Sequence, residues 1–162
     1  MPRIVASAFS LLFVVTTVYT VEAKEPHQEW MQNLKGEWTY EWVELGLKGE
    51  STSNIGAKRQ ALITRGKEGD GNTSVGILGW RSDSKTLVGT GFGSAGNYWH
   101  TEFTEITGES MSGKVHGVLP DGRVFEGTIT RKRVDDDHQE AFFKGTADGE
   151  ELRITGKFAR KK

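Results

Sequence analysis

The sequence predicts an all-β protein: an antiparallel meander of about eight to ten strands closing into a barrel, with one short helix before the first strand. Three observations carry that expectation. Glycine is abundant (21) and proline scarce (3), and glycines fall at regular intervals beside Asp, Asn or Ser. Between them lie runs of Thr, Val, Ile and aromatics, with no long helical period. Within those runs apolar and polar residues alternate, so one face meets a core and the other meets water.

The N-terminus reads as an export signal over residues 1–23. Arg3 supplies a positive charge, Ile4 to Val21 carries none, and Val21-Glu22-Ala23 places a small residue at each position a signal peptidase reads. The competing reading is an uncleaved anchor. The segment barely reaches the length of about 20 apolar residues that a span needs, and Ser7, Ser10, Thr16, Thr17 and Thr20 dilute it. The expected location is therefore periplasmic or secreted, with no membrane attachment after cleavage. Removal of the segment from the 162 residues leaves a chain of ordinary single-domain size. There is no Cys, which excludes thiol catalysis and thiolate metal sites. The formal net charge is −1 and offers no electrostatic reason for nucleic acid as a partner.

Residues 24–35 form a short helical leader. Trp30, Met31 and Leu34 share one face of a helix over Pro26 to Leu34, and Gly36 breaks it. The barrel domain spans 36–162. Its first strand is expected from Trp38 to Leu45, with Trp38, Tyr40 and Trp42 on one face. After the Ser94-Ala95-Gly96-Asn97 turn, Trp99, Thr101 and Phe103 oppose His100 and Glu102. Met111, Gly113, Val115, Gly117 and Leu119 then face inward, followed by Phe125, Gly127 and Ile129. The last strand presents Leu152, Ile154, Gly156 and Phe158. Turns are expected at 69–72, 82–85, 94–97, 107–110, 120–122, 135–137 and 148–150. The inward glycines either make room for large aromatics or leave a cavity.

Gly36-Glu37-Trp38 resembles the Gly-x-Trp that opens lipocalin-like (calycin) barrels. Gly76-Ile77-Leu78-Gly79-Trp80, the stretch Thr86 to Gly93, and Gly117 to Arg123 resemble a bacterial family of small calycin-like domains of unknown function. The resemblance covers Leu34 to Phe158. It implies a barrel able to hold a small apolar ligand, and it brings neither an activity nor functional residues. In lipocalin-like barrels the Trp of Gly-x-Trp closes the base beneath an Arg of the last strand. Arg160 continues the inward parity of that strand, so Trp38 and Arg160 are the expected closing pair, worth about 0.5–2 kcal/mol.

No catalytic constellation emerges, and no metal or cofactor is expected. Gly91 to Gly96 matches G-x-G-x-x-G in spacing, but a strand-like run follows where a dinucleotide site needs a helix. A haem pocket needs an inward histidine. His100 and His116 face outward, His27 lies in the leader and His138 in a turn. Asp135-Asp136-Asp137 are consecutive and splay apart, unlike a calcium loop. Glu41, Glu102 and Glu126 face outward, and with Glu44 and Glu105 they suggest no convergent acid–base pair. Asn72-Thr73-Ser74 is a glycosylation sequon. The feature that points furthest is the aromatic stripe. Trp38, Tyr40, Trp42, Trp99 and Phe103 line an apolar pocket in one reading and form plain core in the other. The first makes the protein a binding module for a small apolar molecule. The second makes it an interaction or structural protein with a filled barrel.

Overall fold

The computed structural model describes residues 25–56 and 60–162; the predicted signal over 1–23 lies outside them. Pro26–Leu34 forms α1, with proline at its N-terminus, where the missing N–H costs nothing. Ten strands follow: β1 Gly36–Trp42, β2 Leu47–Gly56, β3 Ala61–Glu68, β4 Thr73–Arg81, β5 Thr86–Gly93, β6 Tyr98–Ile106, β7 Ser110–Val118, β8 Val124–Arg133, β9 His138–Ala147 and β10 Glu150–Arg160. Each pairs antiparallel with its sequence neighbours, and β1 pairs with β10 to close the barrel. Closure leaves no strand edge unpaired.

Each of the expected turns falls at a hairpin connection. The tightest is the two-residue link between β9 and β10. Asp148 and Gly149 both adopt positive φ (48° and 85°), the conformation that matches the twist of a hairpin and that Asp-Gly adopts readily. The first strand departs from expectation. It begins at Gly36 and stops at Trp42, and Val43–Leu45 wind into a single 3-10 turn. Gly46 ends that turn at φ 64°, its N–H donating to the Val43 carbonyl, and so reverses the chain into β2.

Alternation holds around the barrel, with one bulge between Phe103 and Glu105 that shifts the β6–β7 register. The two ends differ. At the base, α1 lies across the opening and buries Trp30, Met31 and Leu34 against Leu62, Leu87, Phe103 and Met111. At the mouth, the connections at 43–46, 69–72, 94–97, 119–123 and 148–149 surround the opposite end. A second cluster, Val115, Phe143 and Ile154, fills one side of the interior with Trp42, Phe125 and Leu152 against it.

Candidate ligand cavity

The rest of the interior is not filled. A cavity of about 360 Å³ runs from the helix-covered base toward the mouth. Leu34, Trp38, Leu62, Phe103 and Met111 form its floor; Leu45, Leu47, Glu68, Asn97, Leu119 and Pro120 stand at its mouth. Protein interiors otherwise pack to crystal density with few voids larger than a water.

Trp38, Tyr40, Trp42, Trp99 and Phe103 all line this space, and they do so in different ways. Trp38 is almost wholly buried at 2% exposure, its indole N–H donating to the Leu34 carbonyl at 3.1 Å. The Arg160 guanidinium carbon lies 4.4 Å over the Trp38 ring. The same guanidinium donates to the carbonyls of Lys35 and Asn33 at 2.7 and 2.9 Å, so it also satisfies the C-terminal end of α1. Phe103 belongs to the core under the helix as well as to the cavity floor. Trp42 meets Phe158 edge-on, ring centres 5.6 Å apart.

Glycines make this arrangement fit. A Cβ on Gly91 would lie 2.1 Å from the Trp99 ring, and one on Gly156 would lie 2.7 Å from Trp42. These glycines accommodate flat rings against the wall. Gly76 and Gly89 instead line the cavity, where a Cβ would meet its nearest atoms at 3.5 and 3.3 Å. Of the inward glycines expected from the sequence, Gly156 makes room for Trp42, whereas a Cβ on Gly113, Gly117 or Gly127 would first meet a backbone carbonyl of the neighbouring strand, and none of the four lines the cavity.

Polar groups are few and separated. The Ser53 and Thr64 hydroxyls bond each other at 2.8 Å. Burial, with Glu68 and Asp70 nearby, pushes the Tyr40 phenol up to about 12, so its hydroxyl stays a neutral donor. Burial, together with the charge of Asp70, also raises the Glu68 carboxyl above its ordinary value. Arg131 lines the cavity from β8, and burial pushes its guanidinium down to about 10.

Sequence reasoning did not single out Arg131 or Glu68. For Arg131 the signal was present: the inward parity Phe125, Gly127, Ile129 reaches it two residues later. Glu68 lies on β3, whose run of Gly66-Lys67-Glu68-Gly69 looks like a polar turn rather than strand.

The other chemistry-bearing residues lie away from the cavity. His100 and His116 pair on the outer wall, rings 5.1 Å apart, with His100 Nδ1 2.9 Å from the Thr90 hydroxyl. His27 stacks flat on Trp80 at 3.8 Å beneath the helix. Asp135 bonds His138 at 2.9 Å and Asp136 bonds Arg133 at 3.1 Å. Asp137 faces Arg160 at 3.4 Å. Glu41 pairs with Lys48 at 3.0 Å, Glu44 accepts from the Thr155 N–H at 2.6 Å, and Glu105 accepts from Ser112 at 2.7 Å. Glu102 and Glu126 stand opposite Lys114 and His116 on the outer wall. Gly91 to Gly96 spans the end of β5 and its hairpin turn, with a strand on each side. Asn72 of the sequon lies in the β3–β4 turn, its amide donating to Asp70 at 2.8 Å. Among the described residues, no three His, Asp or Glu side chains group as metal ligands.

No family model and no curated protein matches the chain. Solved structures do. The crystal structure of Rv2717c from M. tuberculosis aligns with TM-score 0.54 at 14% identity, covering 85% of this chain and 99% of that one. A redesigned β-barrel aligns with TM-score 0.40 at 16% identity, covering 82% and 95%. A protein described as EF1p2_mFAP2b bound to DFHBI aligns with TM-score 0.44 at 14% identity, covering 83% and 99%. At these identities the likeness to Rv2717c is one of fold, and the other two carry no further argument.

Proposed function

We propose that this protein is an exported, calycin-like barrel that binds a small, largely apolar molecule in its interior. The observation that carries the reading is the cavity of about 360 Å³, lined by tryptophans and aliphatic side chains and open toward a mouth of loops. Small-molecule sites occupy about 300–1,000 Å³ and combine an apolar lining with a few polar groups. A barrel that served only as a packed scaffold would gain stability by filling that space. The sequence over 1–23 supports export, and among the described residues no helix is long and apolar enough to cross a membrane.

Native mass spectrometry of protein purified from its own host tests the binding reading. A co-purified mass in the range of a small molecule, released on denaturation, is the expected result. Repeated absence, with no quenching of tryptophan emission by any apolar probe, would remove it. Sequencing of the exported protein's N-terminus tests the first part; a start at Lys24 is expected, and a start at Met1 would refute cleavage.

One observation favours a second reading, an interaction protein. Val75, Phe92, Tyr98, Val118 and Val124 stand opposite one another on successive strands β4 to β8, beside the mouth. Of these, Phe92 is 60% exposed. An exposed apolar row of this kind marks contact surfaces. Under this reading Phe92→Glu weakens association without altering the cavity, and sedimentation of the two forms would show it.

A further inference from the structure

Arg131 sits on the inner face of β8 and lines the cavity near its base. Two contacts hold its guanidinium. The central carbon lies 4.1 Å over the Phe158 ring, and Nε donates to Gln139 Oε1 at 2.7 Å. Gln139 is fully buried, and its amide nitrogen donates to Asn33 of α1. Its oxygen is thereby turned toward the arginine. These contacts fix the guanidinium plane but occupy only one of its five N–H groups.

Among the described residues, Nη1 and Nη2 make no hydrogen bond and no carboxylate forms an ion pair with them. Every fully buried side-chain nitrogen or oxygen in the described residues does have a partner. The two Nη atoms are therefore not sealed in the wall; they face the free space of the cavity. The other ionisable group in the lining that carries charge, Glu68, stands at the far, mouth end of β3. It lies beside Asp70, at the opposite end of the cavity from the arginine. Between the two ends the lining is mostly apolar, with Trp42, Trp99, Phe143 and Ile154.

A charge held among apolar walls without a counter-ion is strongly unfavourable, and a guanidinium presents a planar fork that fits a carboxylate at two points. An orphan fork at the end of an apolar tunnel defines the shape of what it receives. We propose that the cavity binds an amphipathic monocarboxylate, head inward, with its carboxylate on Nη1 and Nη2 of Arg131 and its apolar body against the tryptophans toward the mouth. This rests on the reading that the cavity is a ligand site, and it adds the charge and orientation of the ligand.

The test uses three probes of equal chain length, decanoate, decanol and decylamine, titrated into the purified protein by calorimetry. The wild-type protein is expected to bind decanoate at least tenfold more tightly than decanol, and decylamine most weakly. Arg131→Met is expected to bring decanoate down to the affinity of decanol while leaving decanol within about twofold, a change set by the lost ion pair. Equal binding of decanoate and decanol by the wild type overturns the inference and leaves the ligand-site reading standing. So does a decanoate preference that survives Arg131→Met. Failure of all three probes to bind overturns both. The ranking by the wild type needs no variant, so it decides the matter even if Arg131→Met does not fold.

Discussion

At the scale of single residues, the interior is governed by where a side chain is missing. Gly91 and Gly76 are neighbours across β4 and β5, yet their surroundings differ. A methyl group on Gly91 would enter the Trp99 ring at 2.1 Å, whereas one on Gly76 would meet its nearest atoms at an ordinary 3.5 Å. Gly91→Ala is therefore expected to cost about 1–3 kcal/mol by forcing the indole off its position. Gly76→Ala is expected to be neutral or to stabilise by about 0.5–1 kcal/mol, because alanine restricts the unfolded chain more than glycine does. Urea titration of the pair would check both, and a loss of similar size in the two would show that the indole does not depend on Gly91. This contrast was not legible in the sequence, because parity shows which glycines face inward and not what lies across from each. Parity does identify the stripe of Trp38, Tyr40 and Trp42, since alternation needs only the local strand. It also reaches Arg131, but a charged residue at an inward position looks like the end of a strand until the barrel around it is known.

At the scale of elements, α1 acts as a plug whose polar contacts are spread over several strands and one connection of the barrel. The Trp30 indole donates to the Thr107 carbonyl at 2.6 Å, Glu29 receives Arg133 at 2.6 Å, and Arg160 holds the last carbonyls. The amphipathic spacing of Trp30, Met31 and Leu34 was readable in the sequence. Its partners were not, because they lie 77, 104 and 127 residues away in the chain. Trp30 is completely buried, so Trp30→Ala is expected to cost about 3–5 kcal/mol in a denaturant titration.

The same interface responds to acid. His27 stacks on Trp80, and burial lowers its pKa below the usual 6.5, with Glu25 opposing in part. A histidine whose pKa is depressed on docking takes up its proton more readily when the helix is released. The interface is accordingly strongest above pH 6.5 and weakens as the pH falls below it. Tryptophan emission should shift toward that of the undocked helix across this range, and His27→Phe should abolish the shift. A shift that persists in His27→Phe would place the titrating group elsewhere.

For the whole molecule, one strand pairing differs from the rest. Nine of the ten contacts around the barrel join strands adjacent in sequence, most across short turns. The tenth pairs β1 with β10, Trp38 opposite Arg160 through Trp42 opposite Gly156, and closes a loop of nearly the full domain. The entropy of closing so long a loop must be met before the pairing gains anything. Local hairpins are expected to form first and the seam last. Substitutions at the seam then act on the native state alone and speed unfolding, whereas those within a hairpin also slow folding. Gly156→Ala suits the first case, because its methyl would lie 2.7 Å from Trp42, across the seam. Gly91→Ala suits the second, because Trp99 faces it within the β5–β6 hairpin. Stopped-flow measurements over a range of denaturant should show Gly156→Ala raising the unfolding rate about tenfold for each 1.4 kcal/mol lost, with folding unchanged. Gly91→Ala should divide its effect between both rates. If Gly156→Ala slows folding instead, the seam is already closed in the transition state, and the barrel assembles from its chain ends inward rather than from its hairpins.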